Sequence, residues 1–249
     1  MLKYILLFLI SSQVFAHDIT AKSWLIADET HILAGENTDK VRPIASITKL
    51  VTVLTALDIK EDLDEVILTP DFGYMTKREL INMAIVRSNN SAADLLCRTY
   101  FRGYKNCIAD MNYKVQRLGM TNTKLFDATG LNRRNVSTAE DLIKLVDEAA
   151  KHPEIVEASK KAKLEVKVKK QWLTFKNTNP LIGERNDIIV SKTGWTHHSG
   201  GCIVMRIASD KGYRTIVLLG SQNTHTRIPE AEYIVSNRSE EHTSELQSH

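Results

Sequence analysis

Ser46 and Lys49 stand three residues apart in the stretch P-I-A-S-I-T-K-L-V-T-V-L-T-A-L-D, Pro43 to Asp58. On a helix that spacing puts both side chains on one face, one turn apart. A serine hydroxyl is a poor nucleophile at its own pKa, and a neighbouring amine held neutral can take its proton. Ile47, Leu50, Val51, Val53, Leu54 and Leu57 wrap most of this helix in apolar side chains, and burial disfavours a charged lysine. Pro43 lies just ahead of the pair, where a proline is tolerated at a helix start. Taken alone the pair is also what a buried helix with a solvated lysine at its edge would show.

Two further groups carry chemistry. Ser88 and Asn90 flank Asn89 in R-S-N-N-S-A-A-D-L-L, Arg87 to Leu96, where one helix ends and another begins with Asn90 or Ser91 as its cap. Lys192, Thr193 and Gly194 sit in I-I-V-S-K-T-G-W-T, at the end of an apolar strand. There the lysine places a charge, the threonine a hydroxyl, and the glycine lets a substrate backbone come close. Order and settings (helix, loop, strand) match the signature of penicillin-binding proteins and serine β-lactamases, with Asn89 where the middle motif has Asp. His197 and His198 follow the strand motif, but no acidic or Cys partner lies at ligand spacing. They read as a solvated loop, and no metal is implied.

The elements that position these groups are legible in outline. Ser23–Asp28 and His31–Gly35 read as a hairpin closed by Glu29 and Thr30, and Val66, Ile67 and Leu68 as a short strand. Lys77–Val86 reads as a helix with Leu80, Ile81, Ala84 and Ile85 on one face. Asn112–Leu118 is helical and stops at Gly119. Asp127–Leu131 is a turn, and Ser137 to Glu140 a capping box ahead of Leu142, Ile143, Leu145 and Val146. Helices thus dominate residues 46–150. The period then changes to two: Leu164, Val166 and Val168 pair with Trp172, Leu173 and Phe175 across Lys170 and Gln171. Ile188–Val190, Cys202–Ala208 and Thr215–Leu219 are further strands, and Ile228–Val235 begins a last helix. Strands at both ends with helices between predict one sheet closed by distant segments, with a helical region inserted.

The 249 residues are 43% hydrophobic and 25% charged, an ordinary globular balance with no repeat or low-complexity run. Lys3, the apolar run Tyr4–Ile10, and Val14 and Ala16 read as a secretory signal cut after Ala16, too short to span a bilayer. The mature protein is then expected in an oxidising, exported compartment, without a lipoprotein anchor or a transmembrane segment. Residues 238–249, R-S-E-E-H-T-S-E-L-Q-S-H, lack an apolar period and resemble a translated sequencing adapter. The native chain is expected instead to continue the last helix past Asn237. With one Arg and three Glu, that segment contributes −2, so its removal takes the net charge from +3 to +5, and loss of Lys3 leaves +4. A mildly basic domain of residues 17–237 suits an anionic polymer such as a cell wall, and is too weakly basic to argue for nucleic acid. Of three cysteines, Cys202 reads as a buried thiol. Cys97 and Cys107 either pair across the loop containing Gly103 after export, as we expect, or remain free in the core.

Beyond the three motifs, P-I-A-S-I-T-K-L, D-A-T-G-L with N-V-S-T-A-E-D-L, W-L-T-F-K-N-T-N, and S-K-T-G-W-T with G-G-C-I-V-M resemble the low-molecular-mass penicillin-binding proteins. These are D-alanyl-D-alanine endopeptidases and carboxypeptidases, peptidase S11-like, and the resemblance covers Ser23 to Val235. It implies an α/β (α+β) fold of the serine β-lactamase/DD-peptidase type, an antiparallel sheet flanked by helices. It implies hydrolysis of peptidoglycan stem peptides or cross-links in the periplasm, β-lactams as inhibitors, and no cofactor. Ser46 would be the acylated nucleophile. Lys49 would accept its proton or orient it. Ser88 would relay the proton to the leaving amine. Asn90 would hold the substrate's peptide group, Lys192 supply charge, and Thr193 bond the substrate carboxylate. Gly194 would allow close approach, and the N–H groups of Ser46 and Trp195 would form an oxyanion hole. A serine β-lactamase is the alternative, although no Glu precedes a Leu-Asn at the expected spacing between Asn90 and Lys192. A non-catalytic wall-binding protein is the other.

Overall fold

The computed structural model describes residues 19–59, 62–168 and 170–237. Residues 1–16, read from the sequence as a secretory signal, and the terminal segment at 238–249 lie outside the described residues. In chain order the elements are β1 (Ser23–Ala27), β2 (Ile32–Glu36), β3 (Arg42–Pro43), a 3-10 turn (Ala45–Ile47), α1 (Thr48–Asp58), β4 (Val66–Thr69), β5 (Gly73–Thr76), α2 (Lys77–Val86), α3 (Asn90–Arg98) and α4 (Tyr104–Arg117). There follow β6 (Val136–Ser137), α5 (Ala139–Ala149), α6 (Pro153–Ser159), β7 (Lys163–Val168), β8 (Gln171–Lys176), β9 (Ile188–Thr196), β10 (Gly200–Ser209), β11 (Gly212–Ser221) and α7 (Arg227–Asn237).

The main sheet is antiparallel in the order β2-β1-β11-β10-β9. Ser23 pairs with Leu219 and Ala27 with Thr215, so the first and last strands close the sheet, as the distribution of strands in the sequence predicts. The central strands read as near-continuous apolar runs because both faces are covered. On one face Trp24, Ile26, Ile203 and Leu218 pack with Ala231 and Ile234 of α7. On the other, Leu25, Val204, Val217 and Leu219 join the larger core with Leu50, Leu54, Leu142 and Leu145. Each such fully buried side chain contributes about 1.5–3 kcal/mol relative to exposure. The α/β arrangement of an antiparallel sheet flanked by helices is present as expected.

Several local expectations need correction. The cap of α3 is Asn89, not Asn90 or Ser91: its side chain accepts from the Ala92 N–H at 2.8 Å. Asn and Asp are interchangeable as caps, which accounts for Asn89 at the centre of the middle motif. The cap of α5 is Thr138, accepting from the Asp141 N–H, while Ser137 belongs to β6, so the Ser137–Glu140 box does not form. Helix α4 runs from Tyr104 to Arg117, so the helical stretch read at Asn112–Leu118 is its second half. Its buried seam is only Cys107, Met111 and Val115, four residues apart, in otherwise polar sequence. The short helix α6 was not expected. Strand β9 continues to Thr196, so Lys192, Thr193 and Gly194 lie inside it rather than at its end.

Cys97 at the end of α3 and Cys107 in α4 are joined by a disulfide, with Cα atoms 5.4 Å apart and both residues buried. Closing so short a loop stabilises by about 2–3 kcal/mol. Cys202 is a buried free thiol, as its place in an apolar strand suggests.

Candidate active site

Ser46 lies in the 3-10 turn and Lys49 in the first turn of α1, whose residues Thr48 to Ala56 are all buried. Lys49 Nζ lies 2.8 Å from Ser46 Oγ, 2.8 Å from Asn90 Oδ1 and 2.6 Å from the Thr129 carbonyl oxygen. Burial lowers the Lys49 pKa to about 7, against the opposing pull of the Asp127 charge. An ammonium has three N–H donors and a neutral amine two and a lone pair. Asn90 Oδ1 and Thr129 O can only accept, so in the neutral form the lone pair is left facing Ser46, whose hydroxyl then donates to the amine. The geometry therefore poises Lys49 to take the proton from Ser46.

Ser88 sits between α2 and α3 with φ of 59°, a left-handed conformation sparsely populated by residues with a side chain. Its Oγ accepts from Lys192 Nζ at 2.8 Å, and Lys192 also donates to the Thr193 carbonyl at 2.9 Å. Burial, with the nearby charges of Lys49 and Arg227, pushes the Lys192 ammonium well below the usual lysine range.

Strand β9 is an edge of the main sheet, and its free side faces the 3-10 turn. A Cβ on Gly194 would lie 2.9 Å from Ser46 N, so only glycine lets the two backbones come this close. Thr193 Oγ1 donates to Thr178 Oγ1 at 2.7 Å. Trp195, 42% exposed, opens onto solvent with the His197 ring against its edge at 4.8 Å. The eight candidate site residues are thus brought together where the 3-10 turn, the α2–α3 junction and β9 meet.

Four further contributors escaped sequence reasoning. Thr129 supplies the carbonyl acceptor for Lys49. Its turn is tied down by Asp127, whose carboxylate accepts from Thr129 Oγ1, Gly130 N, Asn132 N and Asn135 Nδ2. Gly130, with φ of 85°, presses on the Ala45 carbonyl. The signal for both was D-A-T-G-L, read as a turn and as part of the family resemblance, but with no role given to either residue. Thr178 lies in W-L-T-F-K-N-T-N, and nothing local marks it. Arg227 is buried at the start of α7 and donates to the Gly194 carbonyl at 2.6 Å, while its Nε finds no partner among the described residues. An arginine at the start of an amphipathic helix reads as surface, and only packing shows otherwise.

Gly130→Ala tests the support beneath Ser46. A Cβ would run into the Ala45 carbonyl from a left-handed backbone. We expect a loss of about 1–3 kcal/mol of stability and acylation slowed about a hundredfold by misplacement of the nucleophile. Thermal unfolding and penicillin labelling rates both equal to wild type would show that the contact is not needed.

The fold is that of the penicillin-binding proteins and DD-transpeptidases. A Listeria monocytogenes penicillin-binding protein solved with bound cefotaxime superposes with a TM-score of 0.79 at 25% identity, covering 89% of this chain and 98% of that one. A Streptomyces DD-transpeptidase gives a TM-score of 0.82 at 22% identity over 89% and 98%. The sequence matches the peptidase S11 family, described as D-alanyl-D-alanine carboxypeptidase, over residues 10–68 and 59–223. It is 32% identical to D-alanyl-D-alanine endopeptidases of Pseudomonas aeruginosa and Escherichia coli, over 86% of this chain and 76% of each relative. A D-alanyl-D-alanine carboxypeptidase of Mycobacterium tuberculosis is 26% identical over 81% and 74%. The chain belongs to the peptidase S11 family, and its enzyme class is serine-type D-Ala-D-Ala peptidase.

Proposed function

We propose that this enzyme cuts the peptide stems of peptidoglycan, with cross-links as its preferred substrate, through an acyl-enzyme on Ser46. The observation that carries this is the buried Lys49 amine, with a pKa of about 7 and two of its three hydrogen bonds committed to pure acceptors beside Ser46. Ser46 Oγ attacks the carbonyl carbon of the D-Ala residue while its proton passes to Lys49 Nζ. The N–H groups of Ser46 and Trp195 hold the developing oxyanion. Ser88, held by Lys192, relays that proton from Lys49 to the departing amine as the C–N bond breaks, leaving Lys49 neutral again. Water then attacks the acyl carbonyl, one of its protons passing to Ser46 Oγ as the ester bond breaks.

The substrate is expected to be anionic on the leaving side. Burial and the nearby Lys49 and Arg227 disfavour the charge on Lys192, and Lys192 and Arg227 have no carboxylate partner among the described residues. A carboxylate on the leaving residue, toward which Thr193 Oγ1 would turn its one hydrogen from Thr178, would favour that charge. The Asn90 amide NH₂ remains free to donate to the substrate's peptide carbonyl, since its Oδ1 is taken by Lys49. A periplasmic site of action agrees with the Cys97–Cys107 disulfide, since such bonds persist in oxidising compartments. Cross-links are preferred in this reading because the relatives at 32% identity are named endopeptidases. Incubation with a cross-linked stem dimer and with a monomeric stem ending in D-Ala-D-Ala should show the dimer cut faster. No turnover of either would overturn the assignment.

A further inference from the structure

A two-stranded ribbon precedes the point where the chain reaches the site. Thr178, hydrogen-bonded to Thr193 of β9, follows β8 by two residues, so the ribbon β7–β8 is tied to the site through that contact. Its inner face, with Leu164, Val166 and Phe175, packs on the core. Its outer face is different. In register across the two strands lie Lys163 opposite Lys176, Glu165 opposite Thr174, and Lys167 opposite Trp172, all of them exposed. Trp172 is 66% exposed. The ion pairs of the described residues lie elsewhere, so none of these three lysines is neutralised.

This face is unfavourable for the protein by itself. Like charges directly opposite across a ladder are destabilising, and a large aromatic ring is left in water. At about 3.3 Å per residue, Lys176 lies roughly 7 Å of extended chain from Thr178 and Trp172 roughly 20 Å. The face therefore places cations at its base and its outer end, with a flat apolar ring beside the outer lysine. An extended polyanion leaving the cleft would find charge partners at both positions, and a ring on which its sugar or peptide units could rest.

We propose that the outer face of the β7–β8 ribbon, through Lys163, Lys167, Lys176 and Trp172, is a second contact surface for the anionic wall polymer. It grips the polymer beyond the bond being cut. This rests on the reading of peptidoglycan as substrate. The ribbon makes polymeric wall a better substrate than a short peptide of the same scissile bond, and its contribution is screened by salt.

The test uses Ser46→Ala, so that binding is read without turnover. Lys163→Gln, Lys167→Gln, Lys176→Gln and Trp172→Ala are combined in that background. Retention on purified insoluble peptidoglycan is measured at low salt and at about 0.5 M salt. Three exposed charges and a ring should together be worth roughly tenfold in retention, with the difference shrinking at high salt. In the active background the same substitutions should leave penicillin acylation unchanged. Equal retention with and without the substitutions overturns the proposal, as does slowed acylation, which would make the ribbon a support of the site. Binding of the Ser46→Ala protein to phosphatidylglycerol vesicles that is lost on substitution, with wall retention intact, assigns the face to a lipid surface and also overturns it. Failure of the active enzyme to hydrolyse any stem peptide would count against the substrate assignment, and is read independently of retention.

Discussion

Ser46→Ala is expected to abolish both peptide hydrolysis and penicillin labelling, by a factor of about ten thousand or more, while the protein folds as before. Among the described residues the hydroxyl bonds to Lys49 Nζ. Its loss leaves that amine bonded to Asn90 and Thr129 and costs about 1 kcal/mol of stability or less. The unsubstituted enzyme mixed with excess penicillin should gain the mass of the intact drug, because ring opening expels nothing. The adduct should persist through a chase without drug. With a peptide the leaving amine departs and water can take its place, whereas the β-lactam nitrogen stays tethered and blocks that approach. Deacylation then needs a base elsewhere. Asp127, whose charge reaches Lys49, is already engaged through both oxygens by its own turn. Intact-protein mass spectrometry checks all of this. An adduct lost within seconds, with hydrolysed drug in solution, would favour a β-lactamase. Labelling of Ser46→Ala would remove the serine mechanism.

Lys49→Arg should be nearly as damaging. A guanidinium stays protonated at any working pH and its planar fork does not fit three acceptors arranged around one nitrogen. Loss of the general base alone accounts for about a hundred- to ten-thousandfold in rate, so acylation should slow by about a thousandfold. The wild-type pH profile supplies the companion observation. Burial holds Lys49 near a pKa of about 7, far below an exposed lysine. Only the neutral amine accepts the proton, so the second-order rate of acylation by a chromogenic cephalosporin should rise about tenfold per pH unit below that value. It should level off above it. The sign follows from burial: desolvation destabilises the ammonium, so raising the pH populates the competent form. A profile flat from about pH 5 to about pH 9, or an arginine variant close to wild type, would mean that Lys49 only orients the serine.

Local pattern determined much about this protein. The spacing of Ser46 and Lys49, the apolar face of α2, the alternation in β7 and β8, and the K-T-G stretch are read within a few residues, since helix and strand periods act over that range. That one sheet joins the two ends of the chain also followed, because strands at both ends of a helical chain must find partners, whereas the pairing of β1 with β11 in particular came from the structure. What tertiary structure alone decided was the company each group keeps. Lys49 meets Asn90 and Thr129 across 41 and 80 residues of chain, and Lys192 meets Ser88 across 104. No local period encodes such contacts. Burial of Arg227, the press of Gly130 on Ala45 and the bond from Thr193 to Thr178 depend on how separate layers pack. The choice between paired and free cysteines is similar, because the sequence places Cys97 and Cys107 ten residues apart but only the meeting of α3 and α4 brings their Cα atoms to 5.4 Å. The lysine's pKa is of the same kind: the residue type supplies an amine, and the low-dielectric surroundings assembled from distant segments make it a base at neutral pH.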